Sequence, residues 1–128
     1  MKYLLDTHVL IWFSEDDKHL PVRIKSIIED DSNEVFVSHA TIWEMAIKMS
    51  LGKLKLGYSL AELEQVLVKN GIALLPNSFR HYQALLSLPY YHQDPFDRLI
   101  IAQTIAEEFT VISHDSRFTA YPVNLESF

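Results

Sequence analysis

The chain has 128 residues, 48% of them hydrophobic, and a formal net charge of −6, which suits one ordinary domain over residues 1–128. The absence of cysteine excludes disulfides, thiolate metal sites and cysteine nucleophiles, and three glycines leave no phosphate-binding glycine loop. Such an acidic chain could hold a polyanion only if a divalent cation neutralised its carboxylates. No apolar stretch approaches the length of a bilayer span, so we expect a cytoplasmic protein with no membrane partner.

The first half of the chain alternates strands and helices. The apolar run Lys2–Leu5 predicts a buried strand, and the apolar residues of His8–Ser14 predict a helix. Pro21 suits the first turn of a second helix. A second strand is predicted over Glu34–Val37, followed by a helix over Thr41–Ser50.

The second half continues this alternation. Helices are predicted at Ser59–Asn70, at Ser78–Leu88 and from Asp94 to about Glu108. Strands are predicted at Ile72–Leu75 and at Phe109–Ser113, with Val123–Leu125 as an optional fifth. This pattern indicates an α/β domain with a mainly parallel sheet of four to five strands, flanked by helices.

Acidic residues follow the predicted strands or begin the next helices. Four of them form the main set: Asp6, Glu44, Asp97 and Asp115. Asp94, three residues before Asp97, is a fifth candidate. Sites in open parallel sheets form beyond the carboxyl ends of the strands, where the strand order reverses, so we expect these acids to meet there.

Each acid also has a purely structural explanation. Helix capping or turn formation would explain Asp6 (alone or through Thr7), the capping-box pattern Thr41-x-x-Glu44, the sequence Asp94-Pro95-Phe96-Asp97, and Asp115. Grouped at one end of a sheet, however, four carboxylates would repel one another and disfavour their charged forms. Mg²⁺ or Mn²⁺ would relieve that repulsion, because both prefer carboxylate and water oxygens, and would activate water for attack on a phosphate.

Other polar residues are weaker candidates for substrate contacts. Thr7 and Ser38 could support a ligand or a metal-bound water, although both also suit helix capping. His92 could touch substrate and Arg98 could meet a phosphate, with core packing and scattered surface charge as the alternatives. Lys48, one turn beyond Glu44, predicts an ion pair within the helix.

Aromatic residues gather around two positions, Trp12 and Trp43. Both tryptophans lie in apolar helical runs, which predicts core packing rather than base stacking. A domain of this size cannot easily bury all the aromatic side chains in one core, so we expect part of this surface to be an interface.

These motifs, taken in order, resemble those of the PIN-domain ribonucleases, and among them the VapC-like toxins of type II toxin–antitoxin modules. The matching segments are Leu4-Leu5-Asp6-Thr7, Ser38…Trp43-Glu44, His92-Gln93-Asp94-Pro95-Phe96-Asp97-Arg98 and Ser113-His114-Asp115-Ser116-Arg117-Phe118. Each segment is short, but the ordered set spans nearly the whole chain.

The resemblance implies a Mg²⁺- or Mn²⁺-dependent endoribonuclease, a homodimer and a cognate antitoxin that blocks the site. It assigns the catalytic and metal-binding roles to Asp6, Glu44, Asp97 and Asp115. The third motif holds two acids where many relatives have one, so Asp94 competes with Asp97 for the ligand role. Asp97 better matches the usual position, just before the apolar run 99–102.

Two other functions remain open at this point. One is a non-catalytic PIN-like module that binds RNA or protein, although such a module gains nothing from mutually repelling acids. The other is a metal-dependent phosphatase on a similar scaffold. The Asp-x-Asp pattern of aspartyl phosphatases is absent, because Thr7 and His8 follow Asp6.

Overall fold

Five short strands form one parallel sheet in the computed structural model, which describes all 128 residues. The strands are β1 (Lys2–Leu5), β2 (Glu34–Ser38), β3 (Ile72–Leu75), β4 (Thr110–Ser113) and β5 (Asn124–Ser127). Their order across the sheet is β3-β2-β1-β4-β5, and every neighbouring pair is parallel. The predicted α/β class and parallel sheet are confirmed, with the fifth strand present.

Six α-helices flank the sheet, and a 3-10 helix precedes the last strand. They are α1 (Thr7–Glu15), α2 (Val22–Glu29), α3 (His39–Ser50), α4 (Leu60–Lys69), α5 (Phe79–Leu86), α6 (Pro95–Glu107) and the 3-10 helix Ser116–Ala120. None of these helices combines the length and apolar character needed to cross a bilayer.

Two apolar cores lie on opposite faces of the sheet. Side chains alternate along β1, so Leu5 packs with α1 to α4 on one face while Leu4 packs with α6 on the other. Both leucines are fully buried, and each such side chain contributes about 1.5–3 kcal/mol to stability. Residues 98–104 of α6 are all buried, so this helix lies deep in the fold.

The chain reverses its direction across the sheet between β1 and β4. From β1 it proceeds outward through β2 to β3, and then returns through α5 and α6 to place β4 on the other side of β1. The carboxyl ends of β1 and β4 therefore lie side by side at a topological switch point, where open parallel sheets form their sites. Asp6 directly follows β1, and His114 and Asp115 follow β4.

Candidate active site

Asp6 connects the carboxyl ends of the two central strands. One of its oxygens accepts a hydrogen bond from the Val9 N–H at 2.9 Å, which caps α1, and the other accepts from the Ser113 hydroxyl at the end of β4. The side chain is only 4% exposed. Burial raises the pKa of the Asp6 carboxyl above its ordinary value, against the lowering effect of these two hydrogen bonds. Asp6 therefore caps α1 and is also a buried acid without a lysine or arginine partner.

Glu44 is held by α1 and by its own helix. The cap of α3 is Ser38, the last residue of β2, whose hydroxyl accepts from the Ala40 N–H at 3.0 Å. The predicted capping box of Thr41 with Glu44 is therefore wrong, because both residues lie inside the helix and are buried. The Thr7 hydroxyl donates to Glu44 Oε1 at 2.8 Å. The Lys48 ammonium donates to Oε2 at 2.7 Å, which confirms the predicted ion pair.

The two acids of the third motif have different environments. Asp94 Oδ1 accepts from the N–H groups of Phe96 and Asp97, both at 2.9 Å, with Pro95 at the first helical position. Asp94 is thus the N-cap of α6. The carboxylate of Asp97 lies in the first turn, where it is approached by the His92 ring, with Nε2 3.0 Å from Oδ2.

Asp97, like Asp6, is a strongly perturbed acid. Burial is the largest cause that raises its pKa to about 7, and four negative charges act in the same direction: Asp94, Asp6, Glu44 and Asp115. This influence shows that the structure brings all the candidate acids together at the switch point. An acid that is half-protonated near pH 7 amid four carboxylates marks a deficit of positive charge.

His92 lies buried between Asp97 and Asp115, with its Nε2 3.1 Å from Asp115 Oδ2. Its Nδ1 accepts a hydrogen bond from the Asp94 N–H at 3.2 Å. With Nδ1 as the acceptor, Nε2 carries a ring proton and donates toward both carboxylates. The backbone N–H of His92 in turn donates to the Tyr121 hydroxyl at 2.9 Å. His92 acts here as a hydrogen-bond donor that orients acids.

Asp115 differs from the other acids because it has a strong cationic partner. It caps the 3-10 helix through the Arg117 N–H, and the Arg117 guanidinium donates to Oδ2 at 2.9 Å. Burial acts to raise the pKa of Asp115, but the hydrogen bonds from Arg117 and His92 outweigh it and lower the pKa to about 2. Asp115 is therefore charged at every pH at which the protein would function.

This donor set fits a hard divalent cation. Lys48 and Arg117 pair with Glu44 and Asp115, whereas Asp6, Asp94 and Asp97 have no lysine or arginine partner. Ligand atoms of His92, Asp97 and Asp115 lie within 4.8 Å of one another, close enough to share one ion. Because the proton on His92 Nε2 blocks that nitrogen, the carboxylate oxygens are the available ligands, and these are what Mg²⁺ and Mn²⁺ prefer.

A comparison with protein families agrees with this geometry. A family model described as the PIN domain matches residues 3–124. The chain belongs to the PIN domain family. The resemblance found in the sequence motifs is thereby confirmed at the level of the family.

Solved structures similar to this PIN domain share its fold. VapBC2 from Rickettsia felis, bound to a DNA fragment from its promoter, aligns with a TM-score of 0.74 and 18% identity over 99% of this chain and 98% of that chain. FitAcB from Neisseria gonorrhoeae aligns with a TM-score of 0.64 and 22% identity over 96% and 95%. DNA-bound VapBC from Salmonella typhimurium aligns with 0.64 and 16% over 99% and 98%. A comparison with curated protein sequences finds no match.

The weaker candidates for substrate contacts in this PIN domain already form hydrogen bonds with other groups of the protein. Thr7 bonds to Glu44, and Ser38 caps α3, so both support the site from inside the protein. Arg98 is buried, and its guanidinium donates to the Pro89 carbonyl at 2.9 Å and lies 3.8 Å from the centre of the Tyr90 ring. The expectation that Arg98 meets a phosphate is therefore not retained, since its charge holds the loop before α6.

Sequence reasoning missed two residues that position the site, Ser113 and Tyr121. Ser113 was visible as part of the last motif, but only the pairing of β1 with β4 shows that it bonds to Asp6. Tyr121 carries no local signal. Its hydroxyl accepts a hydrogen bond from the His92 N–H and donates one to the Pro89 carbonyl at 2.7 Å. Both partners lie far from Tyr121 along the chain.

Proposed function

We propose that this protein is a metal-dependent endoribonuclease that hydrolyses RNA phosphodiester bonds in the cytoplasm as the toxin of a toxin–antitoxin module. The observation that carries the proposal is the Asp97 carboxylate, raised in pKa to about 7 by burial and by four neighbouring acids. A fold gains no stability from such repulsion. The arrangement is explained if a divalent cation binds there during function, as the PIN family membership supports.

The acids would have distinct roles. Asp6 and Asp97, which have no lysine or arginine partner, would be direct ligands of Mg²⁺ or Mn²⁺. Glu44 would bind the metal or orient the attacking water, and Asp115 would complete the site directly or through water. Asp94 would be a weaker ligand candidate than Asp97, because its Oδ1 already accepts from two backbone N–H groups at the start of α6. When bound, the cation would supply a Lewis acid that activates water and stabilises charge on the phosphate.

The surrounding residues keep these carboxylates in place. Ser113 and the Val9 N–H hold the two oxygens of Asp6, and Thr7 and Lys48 hold those of Glu44. Oxygens fixed in this way lose little conformational freedom when a ligand or substrate binds, which is the benefit of a preorganised site.

An antitoxin partner and a homodimer are further parts of the proposal. VapBC and FitAcB, which share this fold, and the sequence resemblance to VapC-like toxins support them. An antitoxin could block the site by placing an arginine or lysine among the acids, because a guanidinium or ammonium would replace the charge of the metal. Binding would then compete with Mg²⁺, since both require Asp97. Calorimetry tests this by titrating the protein encoded beside this one into the wild type and into Asp97→Asn, with and without saturating Mg²⁺. An affinity that neither Mg²⁺ nor Asp97→Asn changes would exclude binding of the partner in the acidic site.

One substrate panel separates the proposal from its two alternatives. Purified protein is incubated with structured RNA, single-stranded DNA and a phosphomonoester, each with Mg²⁺, Mn²⁺ or EDTA. A metal-dependent endoribonuclease cleaves RNA internally and only with metal. Release of phosphate from the monoester would indicate a phosphatase, and RNA binding without cleavage under any condition would indicate a non-catalytic module.

A further inference from the structure

Helix α3 exposes an indole next to a buried carboxylate. Trp43 is 62% exposed, whereas the adjacent Glu44 is 4% exposed. The sequence-based expectation that Trp43 packs in the core is therefore wrong. Large apolar side chains are usually buried and carboxylates exposed, so this arrangement inverts the normal pattern. The buried side of the helix carries Ala40, Thr41, Glu44 and Met45, which turns the indole outward beside the acidic site.

A second aromatic ring, the half-buried Phe96, extends this surface across to α6. The Trp43 and Phe96 ring centres lie 5.5 Å apart at 74°, an edge-to-face pair. Phe96 directly precedes Asp97, as Trp43 directly precedes Glu44. The aromatic pair therefore spans the same two helices that supply two of the acids, and it is continuous with the acidic site.

The helix that carries Trp43 also carries a cation. The side chain of Lys48, one helical turn beyond Glu44, is 44% exposed. The hydrogen bond to Glu44 raises the pKa of Lys48, and the charges of Asp94 and Asp97 act in the same direction. The lysine is thus within electrostatic reach of three of the acids while its side chain is still accessible to a polyanion.

Aromatic faces beside a cation suit a single-stranded nucleic acid. Every base has a π-face that can stack on an aromatic ring, and the backbone phosphates meet the cation. In a duplex the bases are stacked on one another, so single-stranded segments and loops are what such surfaces recognise. We propose that Trp43 and Phe96 form a platform on which an unpaired base of single-stranded RNA stacks next to the acidic site. This inference rests on the proposed nuclease function and specifies its substrate.

The test measures RNA affinity without cleavage. A labelled single-stranded RNA is titrated by fluorescence anisotropy into the Asp97→Asn protein, with or without Trp43→Ala, Trp43→Phe or Phe79→Ala. Stacking on one base is lost in Trp43→Ala, so the Kd should rise roughly 5- to 100-fold. Trp43→Phe keeps a π-face and should recover most of the affinity. Phe79, an even more exposed aromatic residue at 85% on α5, is the control and its replacement should leave the Kd unchanged.

Two further measurements keep the result interpretable. In a Trp12→Phe background Trp43 is the sole indole, and its fluorescence should be quenched by the RNA. Sedimentation shows whether Trp43→Ala changes the oligomeric state, and an altered state with unchanged Kd would make this surface an interface between copies and overturn the platform. Equal Kd values for Trp43→Ala and Phe79→Ala would also overturn it. If Trp43→Ala weakens RNA binding but the wild type never cleaves, the nuclease proposal fails while the platform stands.

Discussion

Replacing Asp97 by asparagine should stabilise the metal-free protein. In the folded state the pKa of Asp97 is raised from 3.8 to about 7 by burial and by the surrounding acids. An acid with a raised folded pKa binds more protons in the folded than in the unfolded state between these two values. The contribution of Asp97 to the free energy of unfolding is therefore fully present below about pH 4 and is lost as the pH rises through about 7.

The magnitude follows from this shift. Keeping Asp97 charged in the folded protein costs on the order of 4 kcal/mol at pH 8, of which about 3 kcal/mol accumulates between pH 5 and pH 8. The side chain is 21% exposed, so solvent screens only part of this cost. Asp97 also lies in the first turn of α6, where losing its charge forfeits about 0.3–1 kcal/mol of interaction with the helix dipole. The combined cost of burial and repulsion is the larger effect, so the net change is stabilising.

Urea denaturation in EDTA at several pH values between 5 and 8 measures this effect. The wild type should lose stability as the pH rises, and Asp97→Asn should show a flatter profile and a higher free energy of unfolding at pH 8. Asp31→Asn serves as the control, because Asp31 is an exposed acid before the amino end of β2, at the opposite end of the sheet. Parallel pH profiles for the wild type and Asp97→Asn, or a loss of stability in Asp97→Asn at pH 8, would refute the electrostatic reasoning.

Three further predictions concern the neighbouring acids. Mg²⁺ or Mn²⁺ should raise the melting temperature of the wild type, since a ligand of the folded state stabilises it by mass action, and Asp6→Asn should abolish that rise in a thermal scan. Asp94→Asn keeps a good helix cap and should cost little stability in urea denaturation while RNA cleavage survives; loss of cleavage there but not in Asp97→Asn would show that the ligand is the other acid. Glu44→Gln should remove most RNA cleavage in a gel assay, and the Glu44→Gln, Asp97→Asn double variant should be little worse than the worse single variant, because residues that act as one unit lose activity non-additively. Full activity in Glu44→Gln would leave that residue a purely structural role.

Local patterns were sufficient to predict the strands, the parallel sheet and the end of it where the acids gather. The run Lys2–Leu5 ends at Asp6, and the strand Thr110–Ser113 ends two residues before Asp115. Because the carboxyl ends of parallel strands lie at one edge of the sheet, both acids were expected at that edge. That β1 and β4 are neighbours follows from the strand order, which no local pattern reports. The Asp94 cap with Pro95 behind it was visible for the same reason, since capping depends on a few consecutive residues.

The orientation of α3 could not be predicted from local patterns. The helix follows β2 without a loop, so Ser38, the last strand residue, is the cap and the first turn begins two residues earlier than expected. Packing against the rest of the domain places Thr41 and Glu44 on the inner side, where Thr7 of α1 binds the glutamate, and leaves Trp43 outside. Such contacts join residues far apart in the chain, so the residue pattern within one helix does not predict them.

The burial of Arg98 has a similar cause. An arginine in the first turns of a helix beside an acidic motif suggests a phosphate contact. In the structure it is bound by carbonyls of the loop before α6, together with the ring of Tyr90. The same loop positions His92, so the arginine acts on the site only through the loop.

RNA cleavage as a function of Mg²⁺ concentration is the most direct test of the metal-dependent site. Wild type and Asp97→Asn are purified identically, so that a contaminating nuclease would appear in both, and internal cleavage of a single-stranded RNA is followed on gels. We expect no cleavage by the wild type in EDTA, cleavage that rises and saturates with Mg²⁺, and none from Asp97→Asn at any concentration. Cleavage by the wild type in EDTA, or equal cleavage by both proteins, would contradict a role for the acidic cluster as the metal-dependent catalytic site.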